Sequence, residues 1–395
     1  MSIKKSVVRP QKLSVTKRHG LKEFEDLQTS TMTVMIYTNV LFEMPEIFRN
    51  VELTEVEVPL TKKQKNVDKK KIVAPYGAII SVQSKTKIRG VDLRKKKKHW
   101  CTVCQPYKVV DDKEIKVITV TEHLVPDEDT DAFSIMYYCS RCQKSYRPEE
   151  MKKINHFLNQ LTAVLSVGKQ PLLNIMMFKD NLKIAGCKNI DDAVEAILVF
   201  WQDYIVDIPG AWSLKPGAKE PRFVFEVVMR NVDFKLGFPI ERPALNYLMN
   251  EDNYRDKIFM SQYESTGHTN VNIKMFSKKP GNFQYDCLVI PKKKEPYFIK
   301  LDNVPYKSPK KKEKERTEEK YITFIVFSSS EIILSGRYDL NMKEMYEFFV
   351  QTVFSHREVI EEKLEHLDQL QVRKIKAGKQ KSMNHKLNLI AANEF

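Results

Sequence analysis

Glycine is scarce in this chain, with 12 residues in 395. So few glycines argue against glycine-rich nucleotide-binding loops and glycine-based repeats. No run of 18 apolar residues occurs, so no membrane span is expected. Met1 to Leu13 carries Lys4, Lys5 and Arg9 but lacks the apolar core of a signal peptide. The expectation is a chain that works in the cytoplasm or nucleus, or is packaged in a particle assembled there. HExxH, GxSxG and P-loop motifs are missing. Acid pairs such as Asp191-Asp192 suit a helix start better than acid–base chemistry. The sequence therefore reads as a non-enzyme. Acidic residues are outnumbered, 51 against 66 Lys and Arg, so the formal charge is 66 − 51 = +15. That excess favours a polyanionic partner, either nucleic acid or an acidic membrane surface. Hydrophobic residues make up 42%, enough for real cores rather than wholesale disorder.

Four of the six cysteines form two pairs, Cys101-x-x-Cys104 and Cys139-x-x-Cys142, with 34 residues between them. Residues 115–124 alternate like a strand, Pro126-Asp127-Glu128-Asp129 reads as a turn, and 133–138 reads as a returning strand. Paired CxxC motifs around a hairpin read as a zinc ribbon. Four thiolates suit a closed tetrahedral Zn2+ site, which is structural and leaves no position for catalysis. The other reading is two unlinked thiol pairs or a redox site.

Residues 32–37 and 79–82 are strand-like, and lysine-dense stretches lie at 62–71 and 94–98. Residues 151–205 read as strand, strand, strand, helix. Asn189 is placed to cap that helix, and Ile190, Ala193, Val194, Ile197, Leu198 and Trp201 recur on one face. Pro209, Gly210, Pro216, Gly217 and Pro221 mark a linker at 206–221. Beyond it, 223–229, 321–327 and 331–334 read as strands. Asn341 to Glu344 resembles a capping box, opening a helix with Met345, Phe348, Phe349, Thr352 and Val353 on one face.

The two halves match. Asn174 to Phe178, Leu182 to Gly186 and the helix at 190 are answered by Thr323 to Phe327, Ile332 to Gly336 and the helix at 342. The phenylalanines lie 327 − 178 = 149 apart and the glycines 336 − 186 = 150 apart. Met44-Pro45 and Phe238-Pro239 are a weaker upstream pair. This doubled pattern of apolar strand ending in Phe, turn, apolar strand, Gly and amphipathic helix resembles the TATA-box-binding-protein family. It is most similar to the divergent members found in large DNA viruses, which carry insertions of this kind. The resemblance covers about half the chain.

The resemblance implies an α+β, pseudo-twofold saddle, a curved antiparallel sheet with helices on its convex face, here with an inserted zinc ribbon. The expected organisation is a basic tail at 1–25, a first repeat at 26–205 interrupted at about 60–150, the linker, a second repeat at 222–368 interrupted at about 278–320, and a basic tail at 369–395. It implies double-stranded DNA as the partner, bound through an A·T-rich minor groove, with apolar groove contacts and phenylalanine wedges. By position, Met176, Phe178, Ile325, Phe327, Ile333 and Ser335 face the DNA, and Lys169 and Lys274 touch phosphate. Leu161 and His268 stand at the second wedge of each half, where the family has phenylalanine. Lys183 replaces an apolar residue, Glu331 replaces a lysine, and Thr31, Thr33 and Met229 lie nearest the family's base-reading asparagines. The implied function is transcription initiation, with a B-type general initiation factor and RNA polymerase as partners, in a viral factory or nucleus. The alternative is the same fold used as a protein-interaction or virion component.

Overall fold

The computed structural model describes residues 15–56, 74–92, 120–127, 132–139, 142–147, 159–167, 172–263, 270–277, 280–306 and 320–363. They form an α+β fold of antiparallel strands with few helices, in two compact units. One comprises Thr29–Arg230 with Gly281–Glu313 and holds the first repeat. The other comprises Met1–Gln28, Asn231–Pro280 and Lys314–Phe395 and holds the second.

In the first-repeat unit the chain forms β1 (Thr29–Thr38), β2 (Val40–Phe42), α2 (Met44–Asn50), β3 (Ile79–Ser84), β4 (Lys87–Gly90), β5 (Val120–Pro126), β6 (Phe133–Cys139), β7 (Lys144–Tyr146), β8 (Leu161–Leu165), β9 (Leu173–Met177), β10 (Asn181–Cys187) and α3 (Ile190–Val199). Strands β11 (Trp212–Leu214), β15 (Tyr285–Val289) and β16 (Tyr297–Leu301) complete it, with the first part of β12 (Arg222–Lys235). The repeat's own five strands lie in the order β1-β10-β9-β8-β3.

The second-repeat unit holds α1 (Val15–Arg18), the end of β12, α4 (Arg242–Met249), β13 (Ile258–Tyr263), β14 (Asn270–Ser277), β17 (Lys320–Phe327), β18 (Glu331–Gly336), α5 (Asp339–Ser355) and α6 (Arg357–Ile360). Its sheet runs β12-β18-β17-β14-β13. Position for position this is the order of the first repeat. The duplication read from two short motifs is thus a duplication of whole five-strand topologies, a first strand paired with the last and the middle strands meandering back.

Each sheet buries one face under its long helix. Helix α3 starts where the sequence places it: Asn189 Oδ1 accepts from Asp192 N at 2.8 Å, and Asp192 Oδ2 accepts from Asn189 N at 3.2 Å. This reciprocal box satisfies two of the helix's first free amides. Ala193, Ile197 and Trp201 are buried against Ile175, Leu182 and Ile184 of the sheet. A π-helical turn, Phe200–Ile205, follows and carries Trp201 to 4.8 Å from the Trp212 ring. Helix α5 begins earlier than the capping-box reading of Asn341 to Glu344. Tyr338 caps it without a side-chain hydrogen bond, while Asn341 Nδ2 instead donates to Ser277 Oγ at 3.3 Å. Met345, Phe349, Thr352 and Val353 are buried, as the helical spacing predicts, while Phe348 of the same predicted face is half-buried, with Lys257 Nζ 4.3 Å from its ring centre.

The paired glycines have separate physical reasons. Gly186 has φ +104, a conformation that side chains rarely adopt. At Gly336 a Cβ would lie 2.5 Å from Met342 Cγ and 2.8 Å from its Sδ, so glycine is what lets α5 close onto β18.

Several expected boundaries are corrected. Residues 15–25, read as tail, pack into the second-repeat unit: Phe24 is buried, Tyr346 Oη donates to Lys22 O at 2.8 Å, and His19 stacks on Phe354 at 4.1 Å. The 206–221 stretch is no free linker, because β11 pairs with β2 and Ala211 is buried. Strand β3, inside the expected 60–150 insertion, pairs directly with β8 and is part of the repeat sheet. Residues 281–306, inside the expected second insertion, belong to the first-repeat unit, where β15 pairs with Arg222–Val224. The proline that opens the short helix of each half is Pro45 in α2 and Pro243 in α4, so Pro239 is not the partner of Pro45.

Replacing Gly336 by Ala forces Met342 out of place. We expect a loss of about 1–3 kcal/mol, the usual range for overpacking. In a Met342→Ala background, where the clash is removed, Gly336→Ala should cost clearly less, a coupling read by urea unfolding of the full-chain double-mutant cycle.

Candidate nucleic-acid interface

The strand period of two sorts each repeat's side chains into a buried face and an open one. In β9, Leu173, Ile175 and Met177 are buried. Asn174 is exposed, and Met176 is only half-buried. Phe178, just past the strand, is also half-buried, and its N–H closes the turn onto Asn181 O at 2.9 Å. In β17, Ile322, Phe324 and Val326 are buried, while Ile325 and Phe327 are half-buried on the other face. In β18, Ile333 and Ser335 share that open face between buried Ile332 and Leu334.

The register aligns these groups in rows. In the first repeat, Thr162, Met176, Lys183 and Met35 are successive cross-strand neighbours over β8, β9, β10 and β1. In the second, Asn272, Ile325 and Ile333 form one row and Lys274, Thr323 and Ser335 the next. The two open faces therefore share a recipe: apolar side chains in the middle, a phenylalanine where the third strand ends, and a lysine in reach. Lys183 is placed in the middle of its row, where the second repeat has Ile333.

The structure brings together Met176 and Phe178 in one unit, and Lys274, Ile325, Phe327, Ile333 and Ser335 in the other. Leu161 is corrected. It is fully buried, paired with buried Met177, in the core with Ala163 and Leu165. One step of the strand puts Thr162, not Leu161, on the open face. Lys169 and His268 lie outside the described residues.

On the ribbon hairpin, β5 and β6 pair over Val120–Cys139 as the alternation predicts. Cys139 ends β6 and Cys142 lies in the turn before β7. Gln143 has φ +56 and donates from its N–H to Cys139 O at 2.8 Å. Two thiols on one tight turn are a donor pair that suits a thiolate-binding metal. Cys142 Sγ also lies 3.1 Å from Tyr146 Oη. Cys101 and Cys104 lie outside the described residues. Among the described residues no group of three or more His, Cys, Asp or Glu could hold a metal. The two remaining cysteines are core side chains. Burial pushes the Cys187 thiol up to about 12, with the nearby Asp192 carboxylate adding to it, and burial pushes Cys287 up to about 11.

Sequence reasoning missed an aromatic cluster on the second repeat's open face, because β13 carries no clean alternation. Phe259, Phe276 and Tyr321 meet there, with Phe259 stacked on Tyr321 at 4.5 Å and 28°. Phe259 is 47% and Phe276 36% exposed. An irregularity between Ile258 and Met260 breaks the pattern that would have announced Phe259.

The face assignment is testable by stability alone. Leu161→Ala should cost about 2–5 kcal/mol, as for other fully buried leucines. Phe178→Ala and Phe327→Ala should each cost clearly less, measured by urea unfolding. Equal losses at all three positions would contradict the assignment.

No protein-family model matches the chain, and no curated protein matches it. Among solved structures it is similar to a TBP from Methanococcus jannaschii. The identity is 14%, the match covers 53% of this chain and 82% of that one, and the TM-score is 0.29.

Proposed function

We propose that this chain is a non-catalytic, DNA-binding transcription initiation factor of the TATA-box-binding kind, which holds the minor groove against its two open sheet faces. The observation that supports this reading is the doubled face itself: the same five-strand order twice, each with half-buried apolar side chains and one phenylalanine, Phe178 or Phe327, at the same strand end. A single open sheet with apolar residues is common. Two matched ones in a chain of charge +15 suit a long, pseudo-symmetric polyanion.

In this reading Met176, Ile325 and Ile333 lie along the sugar edges of the groove, and Phe178 and Phe327 enter base steps. Lys274 neutralises phosphate. Lys183, amid its row, adds a charge where the family is apolar, so affinity draws more on phosphate than on apolar fit. The ribbon would hold Zn2+ through Cys139 and Cys142 with Cys101 and Cys104, and serve as a structural or partner-binding element. By the sequence resemblance, a B-type initiation factor and RNA polymerase are the expected partners, in the transcription apparatus of a large DNA virus. A second reading, a protein-interaction or virion component of the same fold, is favoured by the burial of Leu161, which removes one wedge from the open face.

Binding to A·T-rich and G·C-rich duplexes, followed across salt, tests the proposal. We expect A·T preference, and a fall in affinity with salt steep enough to count several phosphates. Phe178→Ala with Phe327→Ala should weaken A·T binding about tenfold, equivalent to about 1.4 kcal/mol. A shallow salt dependence with no base preference would favour the second reading. Elemental analysis should find one zinc per chain, lost in Cys139→Ser with Cys142→Ser while duplex binding is retained.

A further inference from the structure

The second repeat's sheet carries more on its open face than the duplex reading uses. Tyr321 lies six residues before Phe327 on β17, about 20 Å along the strand. Phe276 is its direct cross-strand neighbour on β14. Phe259 lies 5.7 Å from Phe276, ring centre to ring centre, and 4.5 Å from Tyr321. The cluster sits opposite the buried face formed by Ile273, Met275, Ile322 and Phe324, so the core does not require it. Strands β13, β14 and β17, which supply the rings, contain no Asp or Glu. Lys274 stands on the same face two residues from Phe276. Asn272, two residues further, has an Oδ1 without a hydrogen-bond partner.

We propose that Phe259, Phe276 and Tyr321 form a stacking platform for unpaired bases of single-stranded nucleic acid. Every base presents a π-face, so an exposed ring accepts any of them, and a neighbouring lysine neutralises the phosphate of the stacked nucleotide. Glu251 and Arg255 both line the hollow beside Phe259 and Phe276 and offset one another, so the acid-free strands with Lys274 leave surroundings that suit a polyanion better than an apolar peptide. A duplex keeps its base faces stacked on one another, so this platform takes strands that are melted, frayed or never paired. The inference does not rest on the minor-groove reading, since the three rings take no part in it and neither Phe178 nor Phe327 contributes here; Lys274 alone is common to both.

The test is fluorescence anisotropy of the full chain with labelled oligothymidylate and oligouridylate of about 12 nucleotides, beside an A·T-rich duplex, at fixed salt. Phe259→Leu with Phe276→Leu keeps apolar volume and removes two rings. We expect it to raise the single-strand Kd about tenfold or more and to leave the duplex Kd unchanged. Phe178→Ala with Phe327→Ala should leave the single-strand Kd unchanged. Tighter binding of one oligonucleotide assigns the platform to DNA or to RNA. Unchanged single-strand affinity in the leucine variant overturns the proposal. So does failure of the unmodified protein to bind either oligonucleotide, which would point to a protein partner. Should the leucine variant not fold, Phe259→Trp decides: its fluorescence is quenched by oligonucleotide if bases stack there, and unchanged if they do not.

Discussion

Each half of this protein depends on one contact, a long amphipathic helix laid along one face of a five-strand antiparallel sheet. Once α3 covers Ile175, Leu182 and Ile184, and α5 covers Phe324, Ile332 and Leu334, the period of two leaves the opposite residues without a helix above them. Apolar side chains on that second face are then not core by default. Met176, Phe178, Ile325, Phe327 and Ile333 are there because the strand alternates. Their half-burial on matched faces is what the proposed function draws on.

The same contact explains the punctuation of the repeat. Gly186 and Gly336 occupy matching places for different reasons, a positive φ in one half and the close approach of Met342 in the other. The helices also start differently. Asn189 and Asp192 form a reciprocal cap, whereas α5 has no side-chain cap and leans instead on buried aromatic packing, with Phe324 and Phe349 stacked at 4.5 Å. Duplicated topology has been kept while local chemistry has diverged, which is how Lys183 comes to stand opposite Ile333 in the repeat.

Much of this was legible in the sequence. Helical spacing from 190 and 345 and the matched Phe and Gly spacings announced the doubled elements, whereas 173–177 and 322–327 are apolar almost throughout, so their open side came from the family resemblance and is matched by the burial of Ile175, Met177, Phe324 and Val326. The legible part ended where regular periodicity ended. Leu161 follows the family's position but not its own strand's phase, and the register with Met177 turns it inward. Phe259 hides behind an irregular strand start. The prolines and glycines of 206–221 read as a linker, yet β11 pairs there with β2 through a contact between residues far apart in sequence. Such long-range pairings leave no local signature. Residues 15–25 carry no local signature of their packing for the same reason, since Phe24 meets Tyr346 and His19 meets Phe354, both on α5.

In the proposed function the open sheet faces engage the minor groove of DNA. End-labelled A·T-rich duplexes of about 20 base pairs, read by energy transfer with and without protein, address it most directly, because wedging side chains unstack base steps and kink the duplex. Wedging by Phe178 and Phe327 gives a shortened end-to-end distance that returns to the free value in Phe178→Ala with Phe327→Ala. Binding without any shortening, unaffected by those substitutions, would contradict it.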